Sequence, residues 1–183
     1  MDGCAGGEIA AEIALVISNV ADAPGLQYPR NAAIESIVLS HKHFANREQS
    51  EEQLVADLRK RNVDLVCLAG FMRLLSPVLV RAFPLRIMNV HPALLPAFPG
   101  LHAQRQAIEY GVKLTGCTVH FVDEGLDSGP IILQKILEVR SDDTEESLST
   151  RLLPVEHQTY KEAVQLFFEN RLKVVGRKVI IMP

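Results

Sequence analysis

The sequence predicts an α/β fold: a mostly parallel sheet with flanking helices and an antiparallel C-terminal extension. Three observations carry that expectation. Short apolar runs alternate with helix-spaced segments from Ala11 to Val90, the pattern of strands joined by crossover helices. Two longer runs, Leu114–Val122 and Ile131–Val139, flank a single turn, DEGLDSGP, and read as antiparallel partners. A long helical segment and a short hairpin then end the chain.

Taken in order, the opening DGCAGG is small and reads as flexible. Ala11–Val20 (AEIALVISNV) is a mostly apolar strand, the kind buried on both faces. Gly25–Ala33 is a short helix weakened by Pro29. Ile34–Leu39 is a second short strand. In the segment from Arg47 to Lys60, Leu54, Val55 and Leu58 have helical spacing, which predicts an amphipathic helix. Asp64–Ala69 is a strand ending at Gly70, Pro77–Phe83 a short helix with proline in its first turn, and Arg86–Val90 a strand stopped by His91-Pro92. Pro92, Pro96, Pro99 and Gly100 make a rigid loop before a helix over Leu101–Tyr110. Thr144–Asn170 is a long helix with a kink expected at Pro154, and Leu172–Met182 is a hairpin turning at Gly176-Arg177.

With 183 residues, 48% apolar and 22% charged, the chain reads as a single domain over 1–183 with a real core. A net charge of −3 with no basic run argues against nucleic acid as a partner. No apolar stretch is long enough to span a bilayer, and the N-terminus has no secretory pattern, so no membrane partner and a cytoplasmic location are expected. Cys4, Cys67 and Cys117 are far apart and unpaired in pattern, giving neither a disulfide framework nor a zinc signature. No metal is expected: His41 and His43 have no accompanying ligand cluster. Neither GxGxxG nor GxxxxGK[ST] occurs.

The densest polar cluster is Asn89-Val90-His91-Pro92 at a strand end. Alternation puts Asn89 and His91 on one face, at the strand end where open α/β sheets bind ligands. Histidine moves protons near neutral pH, and an asparagine amide donates to a developing oxyanion. The plain structural reading is a histidine capping a strand and an asparagine turning the chain. In DEGLDSGP, Asp127 is a carboxylate able to set the tautomer and charge of His91. Aspartates are also ordinary turn residues, and spacing alone does not choose between Asp123, Glu124 and Asp127. The loop Gly70-Phe71-Met72-Arg73-Leu74-Leu75 suits a flat apolar slot with polar edges, as an aromatic heterocycle requires, or else packs on the core. His120 shares a face with Thr118 and reads equally as support for the site or as a core histidine. Cys117 lies on the opposite face, which argues against a Cys/His pair.

The runs LAGFMRLLSP, NVHPALLPAFPGLHAQRQAIEYGV and TGCTVHFVDEGLDSGPIILQ resemble the phosphoribosylglycinamide formyltransferases, and the likeness covers nearly the whole chain. NxHPxLLPxFPG with a downstream LDxGPI is specific for folate-dependent formyltransferases, and GLHAQRQA and TVHFV look like the purine-pathway enzyme. The resemblance implies a Rossmann-like formyltransferase fold. It also implies transfer of a formyl group from 10-formyltetrahydrofolate, a co-substrate, to the amine of glycinamide ribonucleotide. By it, Asn89, His91 and Asp127 are the catalytic trio. Arg47, Met72, Arg73, Leu74, Leu75, Asn89, Val122, Asp123, Glu124, Gly125 and Leu126 hold the folate, and Gly70 and Glu156 face the ribonucleotide. A cis peptide is implied at Leu95-Pro96. A monomer or homodimer is expected.

The pattern departs from the family at the front. DGCAGG precedes the strand AEIALVISN rather than following one, so it does not match the family's GxGSN phosphate loop, and the chain reads as N-terminally truncated relative to the family. A mis-assigned start or a shortened paralogue would account for this. It keeps two alternatives in view: a 10-formyltetrahydrofolate hydrolase with water in place of the amine, and a folate-binding remnant without catalysis.

Overall fold

Caps and buried spacing decide where the helices of this chain begin and end. The computed structural model describes residues 1–183 apart from the side chain of Asp2. It divides into two units, Met1–Val66 with Leu75–Pro84, and Cys67–Leu74 with Leu85–Pro183.

The first unit contains α1 (Asp2–Ala5), β1 (Val16–Ser18), a 3-10 turn running into α2 (Gln27–Asn31), β2 (Ser36–Val38), α3 (Arg47–Lys60) and α4 (Pro77–Ala82). β1 and β2 pair in parallel, Val16 opposite Ser36. The predicted strand over Ala11–Val20 contracts to three residues, because the ladder with β2 extends only from Val16 to Ser18. DGCAGG is not irregular throughout: the amides of Cys4 and Ala5 both bond to the Met1 carbonyl at 3.1 Å, making one turn of helix. Such a turn has no apolar period and is invisible to patterning. α3 keeps its predicted bounds. Asn46 caps it by accepting from the Gln49 amide at 2.9 Å, and Val55 and Leu58 are buried. Glu51, also buried on α3, accepts from the Ser76 amide at 2.9 and 3.0 Å and from its hydroxyl at 2.6 Å. Ser76 in turn caps α4, so the carboxylate sits at a helix N-terminus, where orphan amides favour negative charge.

The second unit is framed by a sheet in the order β3–β4–β5–β6–β8–β7, to which β3 (Val66–Cys67) contributes from Cys67. The others are β4 (Ile87–His91), β5 (Leu114–Phe121), β6 (Ile131–Glu138), β7 (Leu172–Val175) and β8 (Lys178–Ile181), with helices α5 (Ala103–Tyr110) and α6 (Glu145–Phe168). The predicted antiparallel extension is present: β4 with β5, β5 with β6, and the terminal hairpin β7–β8 are all antiparallel. β8 meets β6 in parallel where Lys178 lies opposite Ile131. α6 begins with a capping box, Thr144 and Ser147 each bonding the other's backbone amide. The helix continues through Pro154 and packs on β5 and β6. Leu148 and Leu152 are fully buried with Ile87, Met88 and Val119, each such side chain contributing roughly 1.5–3 kcal/mol of transfer free energy. The Tyr160 hydroxyl of α6 donates to the Met88 carbonyl at 2.8 Å, which fastens the helix to β4 one residue before Asn89.

Candidate active site

Register between β4 and β5 assembles the polar cluster. Asn89 lies opposite His120 and His91 opposite Thr118. Directly paired residues share a face, so these four side chains emerge together while Met88, Val90, Val119 and Phe121 face the other way. The predicted pairing of Asn89 and His91 on one face is what the strand delivers.

His91 is 3% exposed. Its Nε2 lies 2.8 Å from the Phe98 carbonyl and its Nδ1 lies 3.4 Å from Asp127 Oδ2. A carbonyl only accepts, so Nε2 carries hydrogen and donates to it. The carboxylate also accepts. Both ring nitrogens therefore face acceptors.

Asp127 is the acid that faces the histidine; Asp123 and Glu124 are not. Asp123 Oδ1 is engaged inside its own loop, accepting from the Gly125 amide at 3.0 Å and the Ser128 hydroxyl at 2.7 Å. Glu124 is exposed. Asp127 has φ 47°, the left-handed region that non-glycine residues seldom occupy, and this turns its carboxylate inward. Oδ2 accepts from the Gly100 amide at 2.8 Å, and Oδ1 lies 3.9 Å from His120 Nε2. At Gly129, two residues on, a Cβ would stand 1.8 Å from the Phe121 carbonyl oxygen, so only glycine allows the chain to return to the sheet there.

His120, which the sequence left between two readings, is buried and lies beside Asn89. It is 2% exposed, and its Nδ1 donates to the Phe121 carbonyl at 2.9 Å. Burial holds its pKa below the ordinary value of 6.5, so the ring is neutral and Nε2 is left as an acceptor. That nitrogen lies 3.5 Å from Asn89 Nδ2. A neutral acceptor there turns the amide nitrogen of Asn89 toward His120 and fixes the sense of the side chain. The folded pKa is depressed, so an unfolded chain binds a proton near pH 6.5 that the native ring refuses, and stability is lost as pH falls below that value. In His120→Gln, an amide oxygen takes the acceptor place and does not titrate. The melting temperature of the parent should drop more than that of the variant between about pH 7.5 and about pH 5.5. Parallel decreases in thermal melts would remove His120 from the pH response.

Sequence reasoning did not find the loop residues that complete the site. The Phe98 carbonyl and the Gly100 amide are main-chain groups, set by left-handed residues at Phe98 (φ 54°), Gly100 (φ 81°) and His102 (φ 58°). The Thr118 hydroxyl anchors the start of this loop, donating to the Ala93 carbonyl at 2.7 Å and accepting from the Leu95 amide at 3.0 Å. Gln134 donates to Thr118 Oγ1 and to the Leu95 carbonyl, both at 2.9 Å. Leu95-Pro96 is cis, as the resemblance implied. The cue in the sequence was the proline-rich run itself.

Of the other predicted residues, Gly70 (φ 61°) follows β3 and opens a loop in which Met72 is 73% and Leu74 51% exposed. Arg73 is exposed in the same loop. Val122 to Leu126 lead into Asp127, with Val122 half-buried and Gly125 and Leu126 exposed. Glu156 lies on α6, half-buried, and burial raises its carboxyl pKa. Cys117, on the face away from His120, donates to the Thr159 hydroxyl at 3.6 Å. Arg47 and Leu75 belong to the first unit: Arg47 is the first residue of α3, and Leu75 immediately precedes the Ser76 cap. Among the described residues no group of three or more His, Cys, Asp or Glu side chains is arranged to hold a metal ion.

Comparison with known proteins gives this geometry a family. A model described as "Formyl transferase" matches residues 1–164. The chain is 49% identical over 158 residues to the trifunctional purine biosynthetic protein adenosine-3 of Drosophila melanogaster, covering 86% of this chain and 12% of that protein. It is 40% identical over 174 residues to the phosphoribosylglycinamide formyltransferase of Escherichia coli, covering 95% of this chain and 82% of the other. It thus spans about an eighth of the trifunctional relative and most of the bacterial one. The crystal structure of glycinamide ribonucleotide transformylase 1 from Symbiobacterium toebii superposes with a TM-score of 0.98 at 50% identity, over 100% of this chain and 86% of that one. With an α/β fold, a strand-end histidine facing a loop aspartate, and a family model matched over residues 1–164, the chain belongs to the formyl transferase family.

Proposed function

We propose that this protein is a phosphoribosylglycinamide formyltransferase, moving the formyl group of 10-formyltetrahydrofolate to the amine of glycinamide ribonucleotide in purine biosynthesis. The observation that carries this reading is His91, buried at a strand end between the Asp127 carboxylate and the Phe98 carbonyl, with the Asn89 amide on the same face. Formyl transfer needs a donor for the oxygen that gains charge as the amine attacks, and a group that moves a proton from the amine toward the departing folate nitrogen. Asn89 supplies an oriented N–H. His91 supplies a second donor and the proton carrier. Reaching a formyl oxygen requires Nε2–H to exchange the Phe98 carbonyl for it. Asp127 stabilises the imidazolium and holds its ring plane.

The surrounding residues fit the two substrates by chemistry. Exposed Met72, Leu74 and Leu126 offer apolar surface for a pterin, with Arg73, Asn89 and the backbone of Val122, Asp123, Glu124 and Gly125 as its polar and apolar edges. Gly70 and the half-buried Glu156 serve the ribonucleotide, whose hydroxyl and ammonium groups suit a carboxylate. In Glu156→Gln the KM for the ribonucleotide should rise about tenfold, the value of one hydrogen bond to a charged group, with kcat little changed. An unchanged KM would remove Glu156 from that site. A cytoplasmic location and a monomer or homodimer accord with this reading.

The test is a formyl-transfer assay with both substrates. Formylated ribonucleotide supports the proposal. Release of formate without the ribonucleotide would make the protein a hydrolase, and folate binding with neither product would leave it a binding protein.

A further inference from the structure

The loop that carries Asp127 is fastened from within and, beyond the Gly100 amide, by the turn of the terminal hairpin. Within it, the Ser128 hydroxyl donates to Asp123 Oδ1 at 2.7 Å. From outside, Arg177 in the turn between β7 and β8 donates from Nη2 to the Ser128 carbonyl at 2.9 Å. The same turn brings Lys178 opposite Ile131, where β8 runs parallel to β6. The hairpin tip is therefore held against residues 128–131 by a backbone pairing and a charged donor.

That position matters because of what adjoins it. Ser128 is bonded to Asp127, whose φ of 47° is disfavoured for a residue with a Cβ. A strained residue persists where its surroundings over-determine it. On one side Asp127 is held by the Gly100 amide through its own carboxylate. On the other, the chain is fixed by the close approach of Gly129 to the Phe121 carbonyl and by Arg177 on the peptide between them. A guanidinium donates to a carbonyl more strongly than a neutral group does.

We propose that Arg177 is a positioning residue for the formyl-transfer reaction: by holding the Ser128 carbonyl it keeps Asp127 aligned with His91 and Gly100. The inference rests on the formyl-transfer reading for its kinetic part and on geometry for the rest. Arg177 is exposed, so its replacement leaves the core intact.

The experiment compares the parent chain with Arg177→Ala, Arg177→Lys, Asp127→Asn and the Arg177→Ala/Asp127→Asn double variant. In Arg177→Ala, kcat should fall about three- to tenfold, the scale of one hydrogen bond, and exchange of the Gly100 amide hydrogen should accelerate by a similar factor. Arg177→Lys, with a donor of shorter reach, should recover part of both. In the Asp127→Asn background the same alanine substitution should change kcat by less than about twofold, because the charge that Arg177 keeps aligned with His91 is already absent. A general loss of folded enzyme would lower kcat equally in both backgrounds, and that result overturns the proposal. So does Arg177→Ala with parental kcat and parental Gly100 exchange. If the parent transfers no formyl group, the functional reading fails, and Gly100 exchange alone decides whether Arg177 holds the loop.

Discussion

His91→Ala lowers formyl-transfer turnover about 10³- to 10⁴-fold while binding of tetrahydrofolate changes little. The magnitude comes from the two tasks assigned to one ring. Loss of a donor to a developing oxyanion typically costs about 10²- to 10³-fold, and loss of a positioned proton carrier about 10²- to 10⁴-fold. One group performing both does not give the product of the two, because each step already fails when the ring is absent. Folate binding is spared because His91 is 3% exposed, with both nitrogens engaged by the protein's own oxygens, and offers little surface to the pterin. The substitution also leaves a cavity beside Asp127, so the comparison needs the melting temperature and a calorimetric titration with tetrahydrofolate. A folded variant that binds folate and turns over at the parental rate would remove His91 from the chemistry.

How much of this site could be read from the sequence depends on the range of the interactions that build it. Asn89 and His91 were legible because a strand's alternation is local: two residues apart means one face. The helix over Arg47–Lys60 was legible because its apolar stripe repeats within one continuous segment. β5 and β6 were legible because one turn joins two long apolar runs. Three things were not. The choice among Asp123, Glu124 and Asp127 depends on the left-handed backbone at Asp127 and on the Gly100 amide, 27 residues away. The Phe98 carbonyl faces His91 because Thr118 and Gln134, on two other strands, hold residues 93–95 in place. The short β1 and β2 ladders were overestimated because apolar runs mark burial, and burial extends further along the chain than hydrogen-bonded pairing does. Local periodicity therefore revealed the ring and the amide, and the contacts that orient them required the fold.

Asp127→Asn isolates charge from shape. Both the Gly100 amide and His91 Nδ1 face the same oxygen, Oδ2, while Oδ1 faces His120 Nε2 at 3.9 Å. An asparagine placed with its oxygen at the Oδ2 position keeps the Gly100 hydrogen bond. Its amide nitrogen then points toward His120, whose Nε2 is an acceptor because Nδ1 is committed to the Phe121 carbonyl. Each polar contact of the aspartate has an isosteric replacement, so stability at neutral pH should change by no more than about 1 kcal/mol. What disappears is the negative charge beside the imidazolium. A ring that donates to the oxyanion and passes its proton toward the departing nitrogen loses the partner that favours its charged form. Turnover should fall about 10²- to 10³-fold, the lower part of the range for a proton carrier that is present but poorly poised. Kinetics paired with thermal melts separate the outcomes. A stable variant with that loss assigns Asp127 to the charge beside His91, a destabilised one assigns it to the shape of its loop, and one with parental turnover removes it from the reaction.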